Sequence, residues 1–218
     1  MNHMPLVIFE GAIGVGKTTT TKYFAEKFNL PYEEEKVDTP LLGMFYEDPV
    51  RWSFSIQIHF LNTRFKDIKK LYHHEVALLD RSIYCDRLFA RINAEMGRMT
   101  DDELSLYETL FDNMMEDLSD ALPSKKPDLM VYLKADFDTV FGRMMGRARK
   151  EEMDSLKENY EYFKYLHSQY DDYILREYDA SPVLVVDTTH VNIHDEEDRM
   201  KVFAEIENKL TEMGIFKN

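Results

Sequence analysis

The sequence predicts an α/β fold in which a doubly wound parallel sheet of five strands is flanked by helices. Short apolar runs rich in branched residues alternate with long helical patterns, and such runs are typical of buried parallel strands. In open sheets of this kind, ligands bind beyond the carboxyl ends of the strands. The four clear runs are Leu6–Phe9, Val76–Leu79, Leu129–Leu133 and Val183–Val186.

A fifth strand is predicted around Leu30–Glu34, although this segment lacks a continuous apolar run. Thr100 and Glu103 have the spacing of a capping box and predict a helix start, whereas Gly214 is a stop signal. The predicted helices are Lys17–Phe28, Trp52–Tyr72, Thr100 to about Leu122, Phe137–Arg149, Leu156–Tyr178 and Glu197–Met213.

The composition excludes several classes of protein. A chain of 218 residues can bury one core, so we expect a single domain spanning residues 1–218. The net charge of −14 disfavours nucleic acid and anionic membranes as partners. Cys85 is the only cysteine, which excludes an internal disulfide, and no apolar stretch is long enough to span a membrane. We therefore expect a cytoplasmic protein.

The segment from Gly11 to Thr18 matches the phosphate-binding P-loop pattern G-x-x-x-x-G-K-[ST]. The segment follows a predicted strand and begins a predicted helix, which is the context that phosphate binding by this loop requires. A plain glycine-rich turn, the alternative, needs neither the strand nor the helix. Backbone N–H groups and the helix dipole would bind phosphate, Lys17 would reach the β and γ phosphates, and Thr18 would offer an oxygen to Mg²⁺. The expected nucleotide contacts are Gly11, Ala12, Ile13, Gly14, Val15, Gly16, Lys17, Thr18 and Thr19.

A P-loop alone does not distinguish kinases from GTPases or motor ATPases. No glycine in the chain has an aspartate three residues before it, and Asn-Lys-x-Asp is absent. The two motifs of GTPase switches are thus both missing, which argues against that class.

Arg143, Arg147 and Arg149 cluster at the end of one predicted helix in an otherwise acidic chain. In small phosphotransferases, an arginine-rich lid closes over the triphosphate and neutralises its charge. We expect such a lid at about residues 143–155. The alternative is a helix C-terminus that favours cations through its dipole.

Gln57, Phe60, Leu61 and Arg64 share one face of the helix predicted over Trp52–Tyr72. An aromatic ring beside an amide and a guanidinium suits a nucleobase. An ordinary amphipathic helix with an extended arginine would show the same pattern.

Asp80-Arg81-Ser82 follows the strand Val76–Leu79, and Asp86 lies one helical turn later. A carboxylate at this edge can hold Mg²⁺, and Arg81 can hold an attacking hydroxyl. Simple helix capping is the alternative.

Together these motifs resemble the deoxyribonucleoside kinases, and more closely the bacterial deoxyadenosine, deoxyguanosine and deoxycytidine kinases. The resemblance runs over nearly the whole chain. The segments that carry it are Tyr46–Phe54 with Gln57 and Arg64, Asp80–Tyr84 with Asp86 and Arg87, and Arg143–Glu152.

The resemblance implies ATP-dependent phosphorylation of a deoxyribonucleoside in nucleotide salvage, with Mg²⁺ held by Thr18 and Asp80. It also implies a homodimer formed through the two long helices, Trp52–Tyr72 and about Thr100–Leu122. The family pattern assigns the sugar 3′-hydroxyl to Tyr46 and Glu152, the 5′-hydroxyl to Arg81, and the base to Gln57, Arg64 and Asp86, with Phe60 adding bulk beside them.

The resemblance also implies that Glu34 accepts the proton of the 5′-hydroxyl. Three glutamates stand in a row here, so Glu33 and Glu35 remain alternatives. Asp80 is a rival acceptor because it also lies beside the phosphates. Lys17 and Arg81 complete the expected catalytic set.

The base-reading groups predict deoxyadenosine as the favoured acceptor, deoxyguanosine or deoxycytidine as secondary acceptors, and thymidine as a poor one. A nucleoside monophosphate kinase of the thymidylate kinase type is one alternative, but it would need additional cations at the acceptor site. A regulator that binds nucleotides without turnover is another alternative, but the carboxylates Glu34 and Asp80 would then have no purpose.

Overall fold

The computed structural model describes residues 5–36, 39–71, 74–120, 126–147, 156–192 and 195–216. Its central sheet has five strands in the order β2-β3-β1-β4-β5, and every neighbouring pair is parallel. The strands are β1 Leu6–Glu10, β2 Tyr32–Glu33, β3 Ala77–Asp80, β4 Leu129–Lys134 and β5 Val183–Asp187.

Helices connect the strands and cover the sheet. A π-helical turn, Tyr173–Glu177, extends the seventh helix. The helices are α1 Lys17–Phe28, α2 Pro40–Glu47, α3 Pro49–Lys70, α4 Ile83–Glu95, α5 Asp101–Asp120, α6 Phe137–Arg147, α7 Tyr160–Asp172 and α8 Glu196–Glu212.

The two faces of β1 enter two separate hydrophobic clusters. Ile8 points to the face covered by α3, α4, α5 and α7, and Phe9 points to the face covered by α1 and α8. Because successive side chains of a strand point to opposite faces, this alternation requires helices on both sides. The predicted doubly wound, five-stranded parallel sheet is confirmed.

The register of the sheet places the charged residues together. Phe9 of β1 pairs with Asp80 of β3, and Glu10 pairs with Tyr132 of β4. Strand β3 ends beside Phe9, one residue before the end of β1, and β4 continues two residues past the partner of Glu10. Asp80 therefore lies at the edge of the sheet where the loop after β1 begins.

Helix starts follow local capping rules. Thr100 and Glu103 exchange the two hydrogen bonds of the predicted capping box, at 3.2 and 2.8 Å. Helix α3 begins three residues earlier than predicted because Asp48 caps it, accepting from Arg51 N at 3.2 Å, and because Pro49 suits a first turn.

Several boundaries differ from the sequence predictions. Strand β2 is reduced to two residues, and α2 and α4 were not predicted. The helix predicted over Leu156–Tyr178 is α7 followed by the π-helical turn. The end of the helix predicted to Arg149 lies outside the described residues. None of the helices in the described residues combines the length and apolar character that a membrane crossing requires.

Candidate active site

The loop of residues 11–16 joins β1 to α1 and requires glycine where other backbone approaches it. Gly11 has a φ of 141°, and a Cβ there would lie 2.1 Å from Leu133 O. Gly14 has a φ of 91°, and its Cβ would lie 2.8 Å from Val140 O. Any side chain at either position would displace β4 or α6, so these glycines fix the path of the loop.

Lys17 lies buried at the start of α1 and reaches back over the loop. Its Nζ donates to Gly11 O at 2.9 Å and to Ala12 O at 3.0 Å. Burial, assisted by the nearby charge of Arg81, lowers the pKa of Lys17 to about 8. A polyanion at the loop would relieve this penalty because it would supply the opposite charge.

Thr18 and Asp80 meet at the end of β3. Thr18 Oγ1 donates to Asp80 Oδ2 at 2.5 Å, while Asp80 Oδ1 is buried without a hydrogen-bond partner among the described residues. A hydroxyl and a carboxylate are hard oxygen donors of the kind that Mg²⁺ prefers, so the residues present fit that ion. Of the other predicted loop contacts, Ile13 is half-buried and Thr19 is exposed.

The three consecutive glutamates that begin at the last residue of β2 have different partners. Glu33 bonds to Lys36 and Lys70 at 3.0 and 3.1 Å, which draws it toward the end of α3. Glu34 bonds to Lys22 of α1 at 2.9 Å. The structure therefore does not bring Glu34 into the site, which corrects its expected position.

Glu35 is the glutamate that enters the site. Its Oε1 accepts from Arg64 Nη2 at 2.6 Å and contacts Arg81 Nε at 2.7 Å. Burial alone would raise the pKa of Glu35, but Arg81 and then Arg64 outweigh it and lower that pKa to about 2. The side chain is ionised throughout the physiological range.

Arg81 is held in a conformation that non-glycine residues rarely adopt, with a φ of 71°. Its Nη1 donates to Tyr170 OH at 2.9 Å, and its guanidinium lies 5.1 Å from the centre of the Phe89 ring. Backbone strain of this kind persists only where the surroundings enforce it, and it is concentrated at functional sites.

Glu10 and Tyr170 are site residues that the sequence analysis did not assign. Glu10 is fully buried and accepts from Gly11 N and Ser82 N at 3.2 and 2.5 Å, so it ties the phosphate-binding loop to the start of α4. Its place at the end of β1 was a usable signal. Tyr170 comes from α7, 89 residues from its partner Arg81, and no local pattern indicates it.

Gln57, Arg64 and Asp86 form a buried polar cluster between α3 and α4. Arg64 Nε lies 3.1 Å from Asp86 Oδ1, and the guanidinium lies 5.0 Å from the Phe60 ring centre. Gln57 Oε1 and Asp86 Oδ2 have no hydrogen-bond partner among the described residues. Gln57, Leu61 and Arg64 are buried and Phe60 is half-buried, so the four residues lie on the inward face of α3, as predicted.

Burial raises the pKa of Asp86 to about 7, and the guanidinium groups of Arg64 and Arg81 only partly oppose the rise. This carboxyl can therefore act as an acceptor or as a donor near neutral pH.

Tyr46 lies on α2 and is half-buried, with its ring centre 6.1 Å from that of Phe163. Burial raises the pKa of its phenol, and the nearby Tyr162 and Glu35 add to the rise. Glu152, which was expected to share the sugar contact, lies outside the described residues.

The expected lid is described only up to Arg147. Arg143 is half-buried and donates to Thr188 O and Val191 O at 2.7 and 2.8 Å and to Val15 O at 3.5 Å, so it joins the phosphate-binding loop to the segment after β5. Arg147 is exposed at the end of α6. Arg149 and residues 148–155 lie outside the described residues, and the lid stays a prediction.

The chain is similar to known proteins over nearly its whole length. The family named Deoxynucleoside kinase matches residues 7–212. A deoxyguanosine kinase of Lactobacillus johnsonii is 38% identical over 99% of this chain and 96% of its own length. A deoxyadenosine kinase of Lactobacillus acidophilus is 33% identical over 96% of this chain and 98% of its own length.

A solved structure has the same fold. The deoxyadenosine kinase of M. mycoides with bound dATP superposes with a TM-score of 0.78 at 24% identity, covering 95% of this chain and all of the other. The family match over nearly the whole chain and the identity with its curated members agree: this chain belongs to the deoxynucleoside kinase family.

Proposed function

We propose that this kinase transfers the terminal phosphoryl group of ATP to the 5′-hydroxyl of a purine deoxynucleoside, in nucleotide salvage. One observation carries the proposal. Glu35 Oε1 contacts both Arg81, at the phosphate-binding end, and Arg64, which in turn contacts Asp86 at the base-reading end. The Glu35 carboxylate thus marks the point where an acceptor held by α3 and α4 would meet the phosphates.

The backbone N–H groups of the loop and the Lys17 ammonium would bind the β and γ phosphates, and Arg81 would neutralise charge on the transferring group. The 5′-oxygen attacks the γ-phosphorus, the bond from that phosphorus to the β–γ bridging oxygen breaks, and ADP leaves. The proton of the 5′-hydroxyl passes to Glu35. Because the transition state is loose, a weakly basic carboxylate suffices, and positioning supplies most of the acceleration.

Thr18 and Asp80 would hold Mg²⁺, whose charge, when it is bound, neutralises the β and γ phosphate oxygens. The positions of Asp80 and Glu35 suggest different roles for the two carboxylates. Asp80 is bonded to Thr18 at the phosphate end, whereas Glu35 lies between the two arginines. We therefore propose Glu35, rather than Glu34 or Asp80, as the proton acceptor.

The acceptor end favours a neutral substrate. Arg81 and Arg64 are already balanced by Glu35 and Asp86 at 2.6–3.1 Å. An acceptor carrying its own phosphate would need cations that are not already paired, and both of these arginines are paired with carboxylates. The observation argues against a nucleoside monophosphate kinase.

The relatives do not confirm deoxyadenosine as the favoured acceptor, since a deoxyguanosine kinase is the more identical of the two relatives described above. Ionised Asp86 accepts only, which suits the amino group of adenine, whereas protonated Asp86 donates to guanine O6 or N7. With a pKa of about 7, both forms are populated near neutral pH. We propose that both purines are substrates and that thymidine is a poor one.

We also propose a homodimer through α3 and α5. Leu106 on α5 is 58% exposed and Val50 on α3 is 69% exposed. Exposed large apolar side chains on the two long helices support an interface there.

The test is an assay of ADP release with a panel of nucleosides and nucleoside monophosphates. We expect turnover with deoxyadenosine and deoxyguanosine and none above background with monophosphates. Turnover with monophosphates alone would refute the proposed acceptor class, and absence of turnover with every acceptor would refute catalysis.

A further inference from the structure

Tyr107 is a buried tyrosine of α5 that the proposed mechanism does not use. Its side chain is 0% exposed, and its hydroxyl has no hydrogen-bond partner among the residues that the structure describes. A buried hydroxyl without a partner is unfavourable and uncommon in folded proteins, so its retention calls for a ligand or a movable neighbour.

Two ion pairs between α4 and α5 fix the position of Tyr107 relative to the base-reading cluster. Glu108 of α5 forms ion pairs with two arginines of α4. Its Oε2 lies 2.5 Å from Arg87 Nε, and its Oε1 lies 3.1 Å from Arg91 Nε. Asp86 precedes Arg87 and Tyr107 precedes Glu108. The ion pairs of Glu108 therefore place Tyr107 and Asp86 at the same level of the interface between α4 and α5.

Electrostatics agree with this placement. Burial raises the pKa of the Tyr107 phenol well above its usual value, and the Asp86 carboxylate raises it more than any other charged group does. Conversely, Asp86 Oδ2 is itself buried without a partner among the described residues. An unused donor and an unused acceptor thus lie near each other in a region of low dielectric constant.

The charged groups that act most strongly on Asp86 come from four different segments of the chain. Arg64 belongs to α3, Arg81 follows β3, Glu10 ends β1, and Glu35 follows β2. From α5 the neighbour is Tyr107, whose hydroxyl is neutral. A neutral donor can stabilise the carboxylate without cancelling its charge.

We propose that Tyr107 is a positioning residue for base selection: its hydroxyl donates to Asp86 Oδ2 when a nucleoside is bound and holds that carboxylate in its ionised, accepting form. The inference rests on the proposed base-reading role of Asp86. Such a bond would give both unpartnered atoms a partner and would leave Asp86 Oδ1 to Arg64.

The test is the ratio of kcat/KM for deoxyguanosine to that for deoxyadenosine, measured from pH 6 to 9 in Tyr107→Phe. Loss of the donor makes the ionised form of Asp86 less favourable. We expect the ratio to rise on the order of tenfold at pH 8. The pH at which the ratio changes should also move upward, which a purely structural role would not cause.

Phe111→Leu is the matched control. Phe111 lies one turn along α5, is buried, and stacks on Tyr107 with ring centres 6.5 Å apart. This variant loses packing, including the contact of its ring with Arg87, but it loses neither a hydroxyl nor the pair of Arg87 with Glu108. Its Tm should therefore fall while the ratio and its pH midpoint stay unchanged. A shift in Phe111→Leu as large as in Tyr107→Phe would overturn the proposal, because packing would then explain both.

Asp86→Ala separates the inference from the proposed function. If Asp86→Ala changes the ratio but Tyr107→Phe changes neither ratio nor midpoint, the inference is overturned and base reading by Asp86 stands. If Asp86→Ala leaves the ratio unchanged, base reading by Asp86 fails and the inference fails with it. Should Tyr107→Phe not fold, Tyr107→Met also lacks the donor and must show the same shift, and a wild-type ratio in it overturns the proposal.

Discussion

Replacement of Glu35 by glutamine tests the assignment of the proton acceptor, with Glu34→Gln as the neighbouring control. The two substitutions are chemically identical and adjacent, but Glu35 lies between Arg64 and Arg81 whereas Glu34 pairs with Lys22. The structure therefore predicts very different results for them.

The magnitude follows from the pKa of Glu35. Its decrease from 4.5 to about 2 corresponds to about 3 kcal/mol of favourable interaction in the ionised form. Glu35→Gln should lose much of this and lower Tm by roughly 6–12 °C, at 2–4 °C per kcal/mol for a chain of this size. The Glu34 side chain is 44% exposed, so loss of its pair with Lys22 should cost about 1 kcal/mol or less.

Activity should separate the two variants more strongly. Glu35→Gln removes the proton acceptor and leaves two guanidinium groups without their shared anion, so kcat should fall about 100-fold or more. Glu34→Gln should stay within about twofold of the unaltered protein because its carboxylate lies outside the site. The assay is ADP release at saturating ATP with deoxyadenosine and deoxyguanosine, together with thermal unfolding.

The acid dependence of stability gives a second check on the same residue. The folded pKa of Glu35 lies below its unfolded value, so its contribution is complete above about pH 4.5 and is lost as pH falls toward 2. The unaltered protein should lose this stability and Glu35→Gln should not. Inactive Glu34→Gln beside active Glu35→Gln would refute the assignment.

Three further predictions concern other parts of the site. Lys17→Ala should abolish ATP-dependent phosphorylation while circular dichroism shows that the fold is retained, and unchanged turnover would refute the role of the loop. In the unaltered protein, kcat/KM for ATP should decline above about pH 8 because Lys17 then loses its proton. The ratio of kcat/KM for deoxyguanosine to that for deoxyadenosine should fall as pH rises through about 7, because Asp86 then ionises; a flat ratio would contradict base reading by Asp86. Leu106→Glu should shift sedimentation toward the monomer, whereas an unchanged dimer would place the interface elsewhere.

Local patterns predicted the parts of the site that follow strands directly. The loop after β1 and the Asp80-Arg81 pair are fixed by short-range geometry, since a buried apolar run must end at the edge of the sheet. Gln57 and Arg64 were placed on one face of α3 by helical periodicity alone. These predictions required no knowledge of distant contacts.

The parts that sequence could not predict depend on tertiary contacts. Strand β2 has two residues and no apolar run, so the register of the three glutamates cannot be read locally; Lys22 and Arg64, on two different helices, decide which carboxylate enters the site. Helix α4 starts after Ser82, whose side chain makes no capping bond, so capping at this position was an unreliable guide to the helix. Tyr107, for which we propose a positioning role, lies on α5, and the only sequence signal recognised there concerned the start of the helix.

Competition among the four deoxynucleosides for ATP tests the central claim most directly, with the 5′-monophosphate products separated by chromatography at pH 7. If the base is read by Arg64, Asp86 and Gln57, the two purine deoxynucleosides should be phosphorylated first and thymidine last. Efficient conversion of thymidine, or consumption of ATP without any deoxynucleoside 5′-monophosphate, would contradict the account.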